Sequence, residues 1–291
     1  MARLGRRLGL RAASRPKHRP SAKERRAAFL EEARTFTPYV SAQCGDEVFF
    51  VPTRDDRIGA RLFVKRRSKD MTVLATALGH LDRLGLARPA DSVFVDVGAN
   101  LGTATVTALR HHGFASAVSL EPSPGNFTAL RLGLVANDLD DRVTAMQVAV
   151  SDSEGERAFD VSQASTGAHR LAADGGDGGE DVVPVRAVTL DGLVAEGVID
   201  PARVGLVWVD TAGHEANALA GGTSLLSAGI PIVVAIKHGW PETENALIEL
   251  VTSYYTDVVD LRHRDELEPI AAFRALVDRL KQSTDVLLVR R

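Results

Sequence analysis

The chain of 291 residues contains 45% hydrophobic and 25% charged residues, which are values typical of a soluble globular protein. This length allows one full domain with additional segments, and a core of that size is stable without disulfides or metals. The formal charge of −3 and the single cysteine, Cys44, exclude a polycation built for specific nucleic-acid binding, a disulfide framework and a cysteine-rich zinc site. Apolar runs stay well below the roughly 18 residues of a membrane span, so we predict a cytoplasmic protein.

Basic residues are concentrated at the N-terminus. Residues 1–26 contain ten Lys or Arg and one acid, Glu24, which gives this segment a net charge of +9. It lacks the apolar stretch of a secretory signal, and Pro16 and Pro20 would interrupt an amphipathic targeting helix. The composition predicts a disordered basic tail over residues 1–26, with attraction to an anionic surface as the alternative.

Residues 27–89 are predicted to form an N-terminal extension to the main domain. Two β-prone runs, 48–51 and 61–64, are separated by turn-forming residues and predict a small hairpin. Apolar residues at helical spacing predict a helix over residues 71–86. The regular pattern of the main domain begins after this extension, and the domain is assigned to residues 90–291.

Buried-type strands alternate with helices through most of the main domain. Strands are predicted at residues 93–97, 117–120, 143–150, 205–209, 231–236, 257–261 and 285–289. Helices are predicted at residues 103–111, 216–227, 242–254 and 269–280, and a further helix begins at residue 124 after an N-cap serine. Because helical crossovers join parallel strands, this alternation predicts an α/β fold with a doubly wound, seven-stranded, mostly parallel sheet.

Residues 152–190 interrupt the alternation. They contain short β-like pieces around a glycine-rich stretch at residues 174–179. Plain flexibility is the preferred interpretation of this stretch, because the ligand pattern of a calcium loop is incomplete. The segment is therefore predicted to be an excursion from the sheet with a flexible tip.

Polar residues follow the first two strands of the predicted sheet, where doubly wound sheets bind their ligands. Asp96 precedes a turn in which Gly98 and Gly102 allow the backbone to bend sharply and a ligand to approach it. Glu121 ends the second strand, where a carboxylate can accept both hydroxyls of a ribose. The turn has only the first glycine of a G-x-G-x-x-G dinucleotide fingerprint, and an acid before it suits a cofactor with a positively charged end, such as S-adenosylmethionine.

A series of short motifs extends this pattern through the main domain. In chain order they are residues 94–102, 120–124 with Asn126, Asn137, 149–152, Val185 with 189–191, and 209–215 leading to Leu219 and Gly221. Together they resemble the FkbM-type family of class I S-adenosylmethionine-dependent methyltransferases, and residues 54–64 resemble an N-terminal extension of some members. The resemblance implies a Rossmann-like methyltransferase fold with S-adenosylmethionine as cofactor.

The resemblance also implies which residues bind that cofactor. Those implied to surround its methionine part are Asp96, Gly98, Asn100 and Gly102. Glu121 is implied to hold the ribose, and Val150 and Ser151 to approach the adenine. Pro122, Asn126 and Asp210 complete the implied cofactor site.

Three residues are candidates for catalysis. Asp210 ends the fourth strand and, by the resemblance, faces the methyl group and the acceptor, either as a base or as an orienting group. His214 and His238 follow the ends of the fourth and fifth strands, and a near-neutral imidazole suits proton removal. A capping or surface role is the alternative for each histidine. The paired acids of metal-dependent methyltransferases are absent from the pattern, so no metal is predicted.

The acceptor side departs from the family pattern at three places. Trp208 stands where members usually carry Lys, residues 211–212 replace Val-Glu, and residues 236–238 replace an acid. We predict an O-methyltransferase that acts on a hydroxyl of a small molecule or sugar. The alternatives are a cofactor-binding interaction module without turnover and a nicotinamide-dependent oxidoreductase, and the oligomeric state is left open.

Overall fold

The computed structural model describes residues 19–86, 88, 91–161, 170–171, 182–263 and 265–291. Helices are α1 Ala22–Ala33, α2 Ile58–Lys65, α3 Asp70–Arg83, α4 Thr103–His111, α5 Pro124–Ala136, α6 Leu190–Ala195, α7 Glu215–Ala220, α8 Thr223–Ser227, α9 Pro241–Thr252 and α10 Phe273–Asp278. Strands are β1 Tyr39–Cys44, β2 Glu47–Pro52, β3 Val93–Val97, β4 Ser116–Leu120, β5 Val143–Met146, β6 Ala149–Val150, β7 Gly155–Asp160, β8 Arg170–Leu171, β9 Val182–Val188, β10 Val204–Val209, β11 Ile232–Ile236, β12 Asp257–Asp260, β13 Leu267–Pro269 and β14 Thr284–Val289.

The central sheet confirms the predicted α/β class. In the described part of the chain its order is β13-β12-β14-β11-β10-β3-β4-β5. The run from β11 to β5 is parallel, and β14 is antiparallel to both of its neighbours. All seven predicted strands contribute to this sheet, and the short β13 adds an edge strand. The chain moves outward from β3 through β4 to β5 and then crosses to β10 on the other side, so the strand order reverses between β3 and β10.

Two apolar cores cover the two faces of this sheet. Strand β10 is buried at every residue, and its side chains alternate between the cores. Val207 and Val209 enter one core, whereas Leu206 and Trp208 enter the other. A strand that is apolar on both faces fits only the centre of a sheet covered by helices on both sides. This explains why the central strands are the elements most accurately predicted from the sequence.

The predicted third strand, residues 143–150, is divided between two sheets. Strand β5 stays in the central sheet, whereas β6 pairs with β9 in a second, four-stranded sheet of order β6-β9-β7-β8. The backbone N–H of Ser151 donates to the carbonyl of Val188, which continues the pairing with β9. The predicted excursion thus forms a small sheet beside the domain, and residues 174–179 lie outside the described residues.

The predicted hairpin has a different first strand. Strand β2 pairs with β1 through a turn at Gly45, whose φ is 64°. Residues 61–64 lie instead in α2, so the prediction of a strand there was wrong. The carboxylate of Asp55 accepts the backbone N–H groups of residues 57–59 and stabilises the first turn of this helix. The side chain of Leu62 is buried, as an amphipathic helix requires.

Other boundaries also differ from the predictions. Ser21 caps α1 with a reciprocal capping box to Glu24, so the predicted disordered tail ends before Ala22, and residues 1–18 lie outside the described residues. The predicted helix over 216–227 is divided into α7 and α8, and that over 269–280 is a 3-10 turn followed by α10.

The N-terminal extension packs directly on the main domain. Phe49 and Val51 of β2 belong to the same core as Phe94 and Leu101. The side-chain amide of Asn137 donates to the carbonyl of residue 48 and its oxygen accepts the N–H of the same residue, which ties β2 to the end of α5. This packing positions the segment that follows α2 over the carboxyl end of the central sheet. None of the described helices is long and apolar enough to span a bilayer.

Candidate active site

Two cavities lie side by side at the carboxyl ends of β3, β4 and β10. The larger, here called the cleft, has a volume of about 620 Å³, and the smaller, here called the small cavity, has about 50 Å³. Gly98, Asn100, Asp210 and Ala212 line both of them. Because the strand order reverses between β3 and β10, this is the position at which a doubly wound sheet binds its ligands.

The turn between β3 and α4 is closely packed. Gly98 has a φ of 82°, and a side chain at this position would overlap the backbone carbonyl of Asp210. Gly102 has a φ of 80°, and a Cβ there would lie 2.6 Å from a methyl carbon of Leu130. Asn100 between them has a φ of 52°. Left-handed backbone and close approach together explain both glycines, which the sequence assigned to this turn.

Asp96 is buried below this turn, with 1% of its surface exposed. One carboxylate oxygen accepts a hydrogen bond of 2.6 Å from the hydroxyl of Thr105, and the other has no partner among the described residues. Burial raises the pKa of Asp96 to about 7, and the nearby carboxylates of Asp70 and Glu121 act in the same direction. A cation at the free oxygen would stabilise the ionised form.

Glu121 collects three hydrogen bonds at the end of β4. Its carboxylate accepts the backbone N–H groups of Asn100 at 2.8 Å and Ser123 at 2.9 Å, and the side-chain amide of Asn126 at 3.3 Å. Burial nevertheless raises the pKa of Glu121 to about 7. The structure therefore brings together three predicted cofactor residues, Asn100, Glu121 and Asn126, that are distant in sequence.

The rest of the small cavity is mainly apolar. Pro122 and Val150, two of the residues predicted to bind the cofactor, line it, and Phe159 and Leu171 of the second sheet close it from the side. Ser151 lies behind the lining, where its hydroxyl is 3.0 Å from Nε2 of His214. The contribution of the second sheet was not anticipated, because the excursion carries no local motif.

These residues fit an adenosyl cofactor with a positively charged end. The free oxygen of Asp96 offers an ionic partner to a cation, and the apolar lining of the small cavity suits a purine ring. A carboxylate accepts about four hydrogen bonds, so Glu121 retains capacity for a ribose hydroxyl beside the three that it accepts.

Asp210 has a different environment, because two lysines contact it. One carboxylate oxygen lies 2.7 Å from Nζ of Lys237, which follows β11, and the other lies 3.3 Å from Nζ of Lys69, which immediately precedes α3. Burial would raise the pKa of Asp210, but the charges of Lys237 and Lys69 outweigh it and hold that pKa well below its usual range. Asp210 is therefore a carboxylate at all physiological pH values.

The two candidate histidines lie in different cavities. His214 lines the small cavity, where burial lowers the pKa of its imidazole and favours the neutral form. His238 is exposed and lines the cleft, and its backbone N–H donates to the hydroxyl of Ser283. Of the two, only His238 faces the larger space.

Several residues that line the cleft were not predicted from the sequence. Lys237 could have been found, because it directly follows a predicted strand and strand ends were already identified as the site. Lys69 and the cleft arginines Arg57, Arg61 and Arg67 belong to the extension. Arg57 and Arg61 lie in the run that resembles an extension of some family members, but no local pattern places them at the site, because only tertiary packing brings that segment to the sheet.

Comparisons with known proteins agree with this geometry. Residues 96–267 match the family model described as "Methyltransferase FkbM domain". Hexuronic acid methyltransferase AglP of Haloferax volcanii is 28% identical over 178 residues, which cover 60% of this chain and 68% of that protein. The 31-O-demethyl-FK506 methyltransferase FkbM of Streptomyces tacrolimicus is 32% identical over 191 residues, which cover 56% of this chain and 70% of that protein.

A solved structure also resembles the chain. The O-methyltransferase from Bacillus cereus, in complex with SAH, has 12% identity and a TM-score of 0.42, and the alignment covers 77% of this chain and 82% of that one. A similarity of this size carries no argument about activity, which depends on the site and not on the fold.

Proposed function

This chain belongs to the FkbM family of methyltransferases, and we propose that it methylates an oxygen of a sugar or other small hydroxylated acceptor. Its methyl donor is S-adenosylmethionine. The family assignment selects a methyltransferase over the nicotinamide-dependent oxidoreductase that the sequence left as an alternative. The names of the two relatives, a hexuronic acid methyltransferase and a 31-O-demethyl-FK506 methyltransferase, support an oxygen acceptor.

The position of Asp210 is the observation on which this proposal rests. Asp210 lines both the small cavity and the cleft. The small cavity, with Glu121 at its edge, would hold the adenosine part, and Asp96 and the turn around Gly98 would hold the methionine part. The methionine part would then occupy the edge of the cleft at Asp96 and Gly98, the rest of the cleft remains for the acceptor, and Asp210 lies where donor and acceptor would meet. When bound, S-adenosylmethionine supplies an electrophilic methyl group on a sulfonium.

Asp210 is assigned the role of orienting the acceptor. A carboxylate whose pKa is held well below its usual range by Lys237 and Lys69 is a poor proton acceptor. It can still accept a hydrogen bond from an acceptor hydroxyl and so aim one oxygen lone pair at the methyl carbon. Correct positioning supplies much of the rate of such an in-line displacement.

His238 is assigned the role of base, because its imidazole lies on the cleft side. The methyl group would come from the sulfonium of the bound cofactor, and the imidazole of His238 would accept the hydroxyl proton that the methylated oxygen releases. Proton removal of this kind contributes about 10²–10⁴-fold to a rate. His214, which contacts Ser151, is assigned to the adenosine side instead.

The test is an assay of S-adenosylhomocysteine formation with a panel of sugars and hydroxylated small molecules. We expect turnover with at least one acceptor, and we expect H238Q to lower kcat by about 10²-fold while the affinity for S-adenosylhomocysteine stays unchanged. H263Q is the matched control, because His263 is exposed and lines neither cavity. Cofactor binding with no turnover on the whole panel would favour the interaction module that lacks catalysis.

A further inference from the structure

Three arginines of the extension line the cleft. Arg57 is the N-cap of α2, and Arg61 lies one helical turn later, so both side chains lie on the same face of the helix. The helix ends at Lys65, its C-cap Arg66 has a φ of 57° that turns the backbone, and Arg67 then lies along the cleft. The local structure of α2 therefore directs three guanidinium groups into one space.

These arginines have no anionic partner in the part of the chain that the structure describes. Among the described residues, the side chains of Arg57, Arg61 and Arg67 form no hydrogen bond or ion pair, and all three residues are exposed. The other two cations of the cleft, Lys69 and Lys237, already share Asp210.

The acids of the cleft are also engaged elsewhere. Asp70 accepts hydrogen bonds from the hydroxyls of Ser68 and Thr103, and Asp96 lies buried beneath the turn at Gly98. No acid of the cleft therefore contacts the three guanidinium groups, which together carry a charge of +3 on the side of the cleft formed by the extension, and the carboxylate of Asp70 lies instead 4.0 Å from Nζ of Lys69.

We propose that Arg57, Arg61 and Arg67 form a subsite for an anionic group, a carboxylate or a phosphate, on the methyl acceptor. This inference rests on the proposed function, because it assumes that the acceptor occupies the cleft. A guanidinium group presents a planar fork of N–H donors that matches the two oxygens of a carboxylate or phosphate. Three of them in a partly enclosed space select an anion over a neutral group of the same size.

The subsite lies close to the reacting centre. Arg67 is two residues from Lys69, and a fully extended backbone spans at most about 7 Å over that distance. Nζ of Lys69 in turn lies 3.3 Å from the carboxylate of Asp210. One small acceptor can therefore place its anionic group at Arg67 and its reacting oxygen at Asp210.

The experiment uses the full chain saturated with S-adenosylhomocysteine. Calorimetric titrations with glucuronate, glucose 1-phosphate and glucose compare a carboxylate, a phosphate and a neutral probe on the same sugar. We expect at least one anionic probe to bind about tenfold more tightly than glucose, and the tighter of the two identifies the carboxylate or the phosphate. In R57Q/R61Q/R67Q we expect this preference to disappear.

The control variant R54Q/R83Q/R131Q removes the same charge at exposed residues outside both cavities and should keep the preference. Thermal unfolding and the affinity for S-adenosylhomocysteine, measured on both variants, show that the fold is retained. Equal binding of all three probes to the wild type, or an unchanged preference in R57Q/R61Q/R67Q, overturns the inference alone. Failure of the wild type to bind S-adenosylhomocysteine overturns the proposed function and the inference with it.

Discussion

In the cofactor half of the site, the carboxylates of Asp96 and Glu121 are buried and have no basic partner among the described residues, whereas in the acceptor half Asp210 lies between two lysines. The pKa values therefore move in opposite directions. Burial raises the pKa of Asp96 and the pKa of Glu121 to about 7. In the acceptor half the charges of the two lysines outweigh burial and lower the pKa of Asp210. A buried acid without a cation is suited to a cationic ligand. The charge of Asp210 is already neutralised by lysines, so the cleft around it can accept a neutral or an anionic ligand.

The largest expected effect tests the contact between the two halves of the site, which is made at Gly98. Gly98→Ala places a methyl group against the carbonyl of Asp210 and strains a backbone with a φ of 82°. We expect a loss of about 3 kcal/mol in the free energy of unfolding, measured in urea. Gly113→Ala is the control, because Gly113 has a φ of 69° but open space around it, and it should lose only about 1 kcal/mol. Equal losses of unfolding free energy in the two variants would show that the close contact between Gly98 and Asp210 does not contribute to stability.

The cofactor half is tested at Glu121. We expect Glu121→Ala to weaken the binding of S-adenosylhomocysteine by about 1–3 kcal/mol, since charge-assisted hydrogen bonds to the ribose and to the turn are lost. Calorimetric titration measures the affinity, and Glu249→Ala, at an exposed position of α9, is the matched control. An unchanged affinity in Glu121→Ala would remove this residue from the site.

The acceptor half is tested at Lys237. We expect Lys237→Met to lower the free energy of unfolding by about 1–2 kcal/mol, because Asp210 keeps only its more distant partner Lys69. Lys281→Met, at an exposed position with no described ion pair, should change stability little. If urea unfolding gives the same result for both variants, the pairing of Asp210 does not stabilise the chain.

The smallest effect is the pH dependence of ligand binding. Asp96, with a pKa of about 7, is protonated below that pH and ionised above it, so a ligand with a positive charge at Asp96 binds more tightly as the pH rises through 7 and then levels off. Between about pH 5.5 and 8.5 we expect the affinity for S-adenosylhomocysteine to rise about tenfold more than that for methylthioadenosine, which lacks the amino-acid part. Parallel pH profiles for the two ligands would place Asp96 away from the charged end.

The cofactor half was largely predictable because its determinants are local. Asp96 lies at the end of β3, Gly98 directly follows that strand and Glu121 directly follows β4, and adjacent parallel strands bring their carboxyl ends together. The strands were equally predictable, because a short, continuous apolar run such as β10 is typical of a strand that is buried on both faces. The strand assigned to residues 61–64 was wrong, because apolar content alone does not distinguish a strand from an amphipathic helix, here α2, which begins at Ile58.

The amino-acid sequence by itself determined the α/β class, the central strands and the acids at the ends of β3 and β4, because periodicity and turn chemistry act over a few neighbouring residues. Only the tertiary structure decided which charges surround Asp210. Lys69 is 141 residues from Asp210 along the chain, and long-range packing of the extension, not any local pattern, brings its ammonium to that carboxylate and the three arginines to the cleft.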